Sequence, residues 1–226
     1  LVIVLLLRGS SSDADVQRGL ARRILNTLTG LGPCFIKLGQ ALSTRPDLVR
    51  RDWLEELTRL QDDLPAFPHS IALSRIEKEL GAPADQLFEE FPSAPIAAAS
   101  LGQVYKARLE GQSWVAVKVQ RPNLTFILRR DLVLIRALGV LTAPFLPLNL
   151  GFGLGSIIDE FGRSLFEEID YEQEADNAER FASLFVDNPA VYVPRVERML
   201  SSTRVLTTTW ICLLYTSDAA DDVVGV

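Results

Sequence analysis

The sequence of 226 residues is poor in the side chains that many catalytic and structural sites require. Its two cysteines, Cys34 and Cys212, form no C-x-x-C pair, which predicts a reducing compartment and no disulfide framework. A single histidine, His69, cannot by itself build a His-centred zinc site or a Ser-His-Asp triad. This chain alone is therefore a poor candidate for much hydrolase chemistry.

Long apolar runs are also scarce. Residues 1–7 are all apolar, but seven residues cannot cross a bilayer, and a buried stub is favoured over the remnant of a signal or membrane segment. Residues 132–150 are mostly apolar, yet Pro144 and Pro147 interrupt them. That pattern is more typical of a buried or membrane-surface helix followed by a loop than of a helix that spans a membrane.

Negative charge exceeds positive charge, with 29 acidic and 23 basic side chains and a net charge of -6. This balance disfavours a nucleic acid as the partner, because phosphate backbones attract cationic surfaces. Residues 1–60, however, carry 9 basic and 6 acidic side chains. Any attraction to an anionic membrane surface is therefore expected near the beginning of the chain.

Apolar residues at helical spacing predict helices before and after a group of strands. The four early helices are expected at residues 13–29, 33–42, 52–60 and 70–80. Gly30 is expected to end the first of them, and Pro33 to begin the second. Two later helices are predicted at 124–141 and, as one long acidic helix, at 156–185.

Five strands are predicted from period-two alternation and turn residues. Residues 96–109 are expected to form two strands joined by a loop of small residues. The other three strands are expected at 114–120, 191–196 and 204–210. The order predicts an α+β fold in which a five-stranded antiparallel sheet carries a long helix between its third and fourth strands. This is the plan of a protein-kinase N-lobe, here with a helical extension in front of it.

Lys118 is the first candidate for chemistry. Three valines at 115, 117 and 119 share one strand face, so Lys118 points to the other face. The sequence V-A-V-K is similar to the kinase strand motif V-A-I-K, whose lysine contacts nucleotide phosphates. The alternative is a lysine on an edge strand beside small apolar residues.

The predicted long helix is strongly acidic, and like charges at i,i+3 and i,i+4 repel one another. Lys118, Lys37 or a metal ion could supply the opposing charge. The alternative is an acidic face in contact with solvent. The acidic residues are Glu167, Glu168, Asp170, Glu172, Glu174, Asp176 and Glu179.

Four segments in order resemble the UbiB (aarF-type, ABC-one) family of atypical kinases. They are LGPCFIKLGQALSTRPD at 31–47, AAASLGQV at 97–104, VAVKVQRP at 115–122 and EIDY at 168–171. The resemblance implies an ATP-dependent kinase or ATPase, with ATP or ADP and Mg²⁺ as cofactors, that supports ubiquinone or other prenyl-quinone biosynthesis. Prenyl lipids or quinone-pathway proteins are then possible partners. The implied location is cytoplasmic and peripheral to a bacterial or organellar membrane. The alternative is a non-catalytic pseudokinase scaffold that binds lipid or partner proteins.

The resemblance also assigns regulatory residues. The family's K-x-G-Q motif falls on Lys37, Gly39 and Gln40, in the helical extension that is expected to cover the nucleotide cleft. Its E-x-D motif falls on Glu168 and Asp170, one of which is expected to meet Lys37 while the other faces the cleft.

The nucleotide-binding residues implied by the resemblance begin with an alanine-rich loop, formed by Ala97, Ala98, Ala99 and Ser100. The Cβ atoms of this loop restrict the approach of backbone amides to phosphates compared with glycines, so an altered nucleotide preference is expected. Lys118 is the implied phosphate-contacting residue. Glu174 is the first choice for its ion-pair partner, and Glu168 is the second.

Phosphoryl transfer also needs a catalytic carboxylate and magnesium ligands, but the sequence contains no H-x-D or D-F-G segment. No catalytic residue and no metal ligand is therefore assigned to this chain. The kinase C-lobe is expected to be absent, and the fragment is expected to bind nucleotide weakly without turnover. The expected organisation is a stub at 1–12, the helical extension at 13–92, the N-lobe at 93–211, and a non-native tail at 212–226 that resembles a translated sequencing adapter.

Overall fold

The computed structural model describes residues 14–44, 57, 65–111, 113–142 and 154–211. The N-terminal stub, the tail after residue 211 and, apart from Leu57, the helix expected at 52–60 lie outside the described residues. Within these ranges the fold is α+β, with seven α-helices and a four-stranded antiparallel sheet. The α+β plan of a kinase-like N-lobe with helices in front of it is confirmed.

The helices and strands follow one another in a simple order. Four helices come first: α1 (Ala14–Leu31), α2 (Pro33–Ser43), α3 (His69–Leu80) and α4 (Ala84–Leu87). Strands β1 (Ala97–Ala98), β2 (Gly102–Arg108) and β3 (Trp114–Gln120) follow. The last elements are α5 (Leu124–Thr142), α6 (Leu154–Glu168), α7 (Tyr171–Leu184), a 3-10 turn at Arg198–Leu200 and β4 (Val205–Thr209).

The strands are arranged in the order β1-β2-β3-β4, and β3 pairs with β4 in antiparallel register. In that register Val117 lies opposite Thr207, and Lys118 lies opposite Leu206. The valines at 115, 117 and 119 are all buried, as the period-two pattern predicts.

The chain divides into two compact units, each made of separated segments. The helical unit comprises residues 1–66, 97–103 and 120–169, and the sheet unit comprises residues 67–96, 104–119 and 170–226. The domain boundaries expected at residues 13, 93 and 212 stay a prediction.

The helical unit has its own core, in which side chains from α2, α5 and α6 pack together. Its buried members are Cys34, Leu101, Leu124, Leu128, Leu165 and Ile169. The first two helices join at Gly32, which adopts a left-handed φ of 110° that a residue with a Cβ rarely adopts. Helix α1 therefore continues one residue beyond Gly30 to Leu31, and Pro33 begins α2 as expected.

The sheet unit has two buried clusters. The larger one packs α3 and α4 against the valine face of β3, and its members include Ile76, Phe88, Tyr105, Val117 and Val205. The smaller one packs α7 against β4 and consists of Tyr171, Ala175, Val196 and Leu206. The sheet unit thus buries both faces of the β3-β4 pair.

The prediction of a single long acidic helix at 156–185 is wrong, because the structure has two helices there, α6 and α7. Asp170 has extended backbone angles and caps α7, since its carboxylate accepts hydrogen bonds from Glu172 N at 3.2 Å and Gln173 N at 3.5 Å. The acidic residues of 167–179 therefore do not lie on one continuous helix.

The prediction of a fifth strand at 191–196 is also wrong, because these residues, which the structure describes, form no strand. Within that segment Val196 forms an isolated bridge with Thr208, but the segment adds no strand to the sheet. Pro194 lacks the backbone N–H that a continuous ladder requires, which explains why the apolar alternation there does not become a strand.

None of the described helices is both long enough and apolar enough to span a membrane.

Candidate functional site

An ion pair between Lys118 and Glu174 joins β3 to α7 within the sheet unit. The Lys118 Nζ atom is 2.7 Å from Glu174 Oε2 and 3.0 Å from Glu174 Oε1. The same ammonium group lies 4.5 Å from the centre of the Tyr171 ring, where a cation–π contact is favourable. Both charged side chains are partly exposed, at 32% and 41%, so the pair remains open to a ligand.

The sheet register explains why Glu174 reaches this lysine. Lys118 and Leu206 are cross-strand neighbours, so their side chains point to the same face of the sheet. Leu206 packs against Tyr171 and Ala175 of α7, which places α7 over that face. Glu174 lies beside Ala175, one turn after the Asp170 cap, and its backbone N donates to Asp170 O at 3.1 Å.

The expected partner of Lys118 is therefore the observed one, and the second choice, Glu168, pairs with a different lysine. Binding of nucleotide phosphates by Lys118 stays a prediction, since the ion pair shows the geometry and not the ligand.

The alanine-rich loop belongs to the helical unit and forms a tight hairpin. Ala97 and Ala98 make up β1, and Ala99 N donates to Gly102 O at 2.8 Å. Ala97 is exposed, whereas Ser100 is buried at 1%. The three alanines thus present more of the hairpin to solvent than Ser100 does, and Ser100 is the weaker candidate for a direct ligand contact.

The K-x-G-Q and E-x-D residues meet within the helical unit. Lys37 on α2 donates to Glu168 at the end of α6, and the lysine side chain is 19% exposed. Lys37 and Gln40 are three residues apart and share a helix face, whereas Gly39 is buried on another face of α2. The expected contact between Lys37 and an E-x-D carboxylate is therefore observed.

A cavity of about 210 Å³ adjoins this ion pair. Its lining side chains come from α2 and α6, and they are Lys37, Gln40, Ala41, Phe161, Ser164, Leu165 and Glu168. The motif residues Lys37, Gln40 and Glu168 therefore lie together at one cavity.

Asp170 has a structural position that the sequence analysis did not assign. It was expected either to meet Lys37 or to face the nucleotide cleft, and the structure shows its carboxylate at the N-terminus of α7. Only Ile169 separates Glu168 from Asp170, but the two carboxylates lie on opposite sides of the helix break. The regulatory role of both residues stays a prediction.

Cys34, within the K-x-G-Q segment, is fully buried in the helical unit. Burial, with a smaller contribution from the carboxylate of Asp131, raises the pKa of the Cys34 thiol to about 12. At neutral pH this thiol is protonated and is a poor nucleophile.

The sequence analysis assigned no role to three residues that contact the candidate sites. Tyr171 places its ring against Lys118, Gln120 donates from Nε2 to Ile169 O at 2.8 Å, and Arg121 donates from Nε to Ala99 O at 2.9 Å. Each lies inside one of the segments that carry the family resemblance, but polar or aromatic character at those positions gives no signal of its own.

Among the residues that the structure describes, no group of three or more His, Cys, Asp or Glu side chains is arranged to hold a metal ion.

Comparison with known proteins decides the family. The sequence profile of the ABC1 atypical kinase-like domain matches residues 59–220. The chain belongs to this family. It is 53% identical over 195 residues to the uncharacterised Synechocystis protein slr1919, covering 86% of this chain and 34% of that protein.

Two further relatives of this ABC1-family chain extend the comparison. The Arabidopsis thaliana protein ACTIVITY OF BC1 COMPLEX KINASE 1, chloroplastic, is 47% identical over 200 residues, covering 88% of this chain and 29% of that protein. The solved structure of the Rv3197–erythromycin complex from Mycobacterium tuberculosis is similar at a TM-score of 0.56 and 32% identity, covering 88% of this chain and 50% of that one. The chain thus spans about a third of the length of the curated relatives it matches.

Proposed function

We propose that this chain is the nucleotide-binding part of an ATP-dependent atypical kinase or ATPase. The observation that supports this most strongly is the Lys118–Glu174 ion pair, formed between β3 and α7 of the sheet unit. A lysine held by a carboxylate on a helix that packs over the sheet is the arrangement that kinases use to orient nucleotide phosphates. Membership of the ABC1 atypical kinase-like family points in the same direction.

The pair has the chemistry that phosphate binding requires. A lysine ammonium has three N–H donors, and Glu174 provides the two acceptors that face it at 2.7 and 3.0 Å. Glu174 thereby fixes the direction of the ammonium group, whose positive charge is available to a phosphate oxygen on its exposed side. The face of the Tyr171 ring contacts the same ammonium group and stabilises it in this position.

We further propose that the alanine-rich hairpin covers part of the nucleotide and sets its preference. Cβ atoms at 97, 98 and 99 narrow the approach of backbone amides to phosphates relative to a glycine-rich loop. Such a loop is expected to favour one phosphate chain length over another, and the comparison of ATP with ADP tests this directly.

The proposed activity of this chain is binding without turnover. The 226 residues contain no H-x-D or D-F-G segment. When bound, Mg²⁺ neutralises charge on the phosphates in this class of reaction. The residues assigned here bind and orient the nucleotide, and no proton or phosphoryl transfer is assigned to them.

We further propose that this kinase or ATPase supports the biosynthesis of ubiquinone or another prenyl-quinone at a membrane surface. Its partners would be prenyl lipids or quinone-pathway proteins. This proposal is supported by the family resemblance of the four motifs at 31–47, 97–104, 115–122 and 168–171. The relatives include chloroplastic proteins, which agrees with a proposed bacterial or organellar setting.

Thermal unfolding of the 226-residue chain with and without ADP or ATP tests nucleotide binding. A ligand that binds the folded state raises the midpoint temperature, and we expect ADP and ATP to do so in the wild-type chain. Lys118→Met is expected to abolish the shift. Lys78→Met is the matched control, because Lys78 is an exposed lysine of α3, and it is expected to keep the shift.

The scaffold alternative is favoured by one observation. Helix α5 carries exposed apolar side chains, including Phe126, Val133, Val140 and Leu141, which a partner surface could cover. If nucleotide gives no stabilisation in the wild-type chain, or the same stabilisation in Lys118→Met, the nucleotide proposal fails and the scaffold becomes the better account.

A further inference from the structure

Arg121, the residue that follows β3, makes three hydrogen bonds to main-chain carbonyls. Its backbone N donates to Leu101 O, its Nε donates to Ala99 O, and its Nη2 donates to Pro65 O, each at 2.9 Å. All four residues belong to the helical unit. One side chain therefore joins the alanine hairpin to a second, distant segment of the chain.

Two of these carbonyls lie on either side of Ser100, at the end of the alanine hairpin. The hairpin is also closed by the bond from Ala99 N to Gly102 O at 2.8 Å. On the inner side, Leu101 is buried at 5% and packs within the same cluster as Leu124 and Leu128. The hairpin is thus fixed by its own turn, by an apolar anchor and by the Arg121 side chain.

The geometry at Arg121 suits a guanidinium group in particular. Its planar donors point in fixed, different directions, so one side chain can serve Ala99 and Pro65 at once. A lysine ammonium is a single charged point and cannot bridge the two carbonyls in the same way. Arg121 is half-buried, and this burial lowers the pKa of its guanidinium.

We propose that Arg121 is a positioning residue for the nucleotide: it holds the alanine hairpin in its binding conformation before the ligand arrives. A loop that is already ordered does not lose further conformational entropy on binding, and affinity is higher for that reason. This inference rests on the proposed nucleotide-binding function. Arg121 acts through the carbonyls it holds, and no contact between its guanidinium and the nucleotide is required.

Titration calorimetry with ADP on the full 226-residue chain tests the inference, with Arg121→Ala, Arg121→Lys and a control variant. We expect Arg121→Ala to weaken ADP binding by about tenfold, and Arg121→Lys to recover little of the loss. The control is Arg129→Ala, because Arg129 is exposed on α5 and its guanidinium lies 5.9 Å from the Phe166 ring. This control is expected to bind ADP like the wild type.

Amide hydrogen exchange over residues 99–102 separates positioning from a general structural effect. If Arg121 positions the hairpin, the amides of this segment exchange faster in Arg121→Ala, and saturating ADP restores their protection. A general loss of stability would instead speed exchange throughout the helical unit and leave the ADP affinity of the folded fraction unchanged. If Arg121→Ala does not fold, Arg121→Gln, which keeps a single NH₂ donor group and no charge, takes its place in both measurements.

The outcomes keep the two proposals distinguishable. Absence of ADP binding in the wild-type chain overturns the proposed function and this inference together. Wild-type binding with unchanged affinity in folded Arg121→Ala overturns the positioning role and leaves the proposed function standing. If Arg129→Ala loses as much ADP affinity as Arg121→Ala, the inference is also overturned. The loss would then follow from the removal of one positive charge and not from the position of Arg121.

Discussion

Gln120 at the end of β3 donates a 2.8 Å hydrogen bond from Nε2 to the carbonyl of Ile169, 49 residues further along the chain. Both residues are buried in the helical unit. In a continuous helix this carbonyl would accept from the amide of residue 173, but that amide is directed to the Asp170 carboxylate. Gln120 therefore satisfies the carbonyl that the break between α6 and α7 would otherwise leave without a helical partner.

Gln120→Leu is expected to lower the free energy of unfolding by about 1 to 3 kcal/mol, because the buried Ile169 carbonyl loses its donor. Urea unfolding followed by circular dichroism measures the change. Gln86→Leu, at an exposed position of α4, is the control and is expected to change stability little. Equal stability of Gln120→Leu and the wild type would contradict the role assigned to this bond.

Asp170→Ala is expected to destabilise the chain by about 1 kcal/mol, because α7 loses its N-terminal cap. Asp170→Ser, which retains a capping oxygen, is expected to recover most of the loss. Thermal and urea unfolding measure both variants beside Asp187→Ala, which changes an exposed aspartate in the turn after α7. If Asp170→Ala and Asp187→Ala behave alike, the cap contributes little to stability.

The Lys37–Glu168 pair is expected to show a coupling energy of about 0.5 to 1 kcal/mol in a double-mutant cycle, since the carboxylate is 44% exposed and solvent screens the pair. Lys37→Ala, Glu168→Ala and the double variant make up the cycle, and urea unfolding supplies the free energies. The control cycle uses Arg163 and Glu160, an exposed i,i+3 pair on α6, with a smaller expected coupling. A coupling no larger than that of the control would show that Lys37 and Glu168 do not stabilise the fold through their contact.

Cys34 is expected to resist alkylation in the folded chain. Burial and the Asp131 carboxylate raise its pKa to about 12, so the thiolate fraction at pH 8 is very small. In a Cys212→Ser background, iodoacetamide at pH 8 should label Cys34 slowly in the native chain and rapidly in urea, as mass spectrometry would report. Fast labelling of the native chain would contradict the burial of this thiol.

The sequence predicts the strand that carries Lys118 well, because alternation of buried valines at 115, 117 and 119 is a direct consequence of strand geometry. Glu174, the first choice for the partner of Lys118, is also the observed partner, but no local pattern ranks it above the other carboxylates of the acidic stretch. A local pattern is therefore sufficient for the strand and not for the ion pair.

Local patterns fail where two preferences compete. The acidic stretch is helical on both sides of residue 169, but the capping preference of Asp170 overrides continuation of the helix. At 191–196 the apolar alternation is overridden by Pro194, which cannot donate to a ladder. Gln120 and Arg121 bind carbonyls that only the folded chain brings near them, so no sequence pattern could identify their partners.

A lysine-reactive acyl-phosphate derivative of ATP gives the most direct test of the central claim, that Lys118 lies at the nucleotide phosphates. The chain contains four lysines, Lys37, Lys78, Lys106 and Lys118, so mass spectrometry can identify the labelled residue without ambiguity. We predict that the probe labels Lys118 above the other three, and that free ADP suppresses this labelling. Equal labelling of all four lysines, or labelling of Lys118 that ADP does not reduce, would contradict the account.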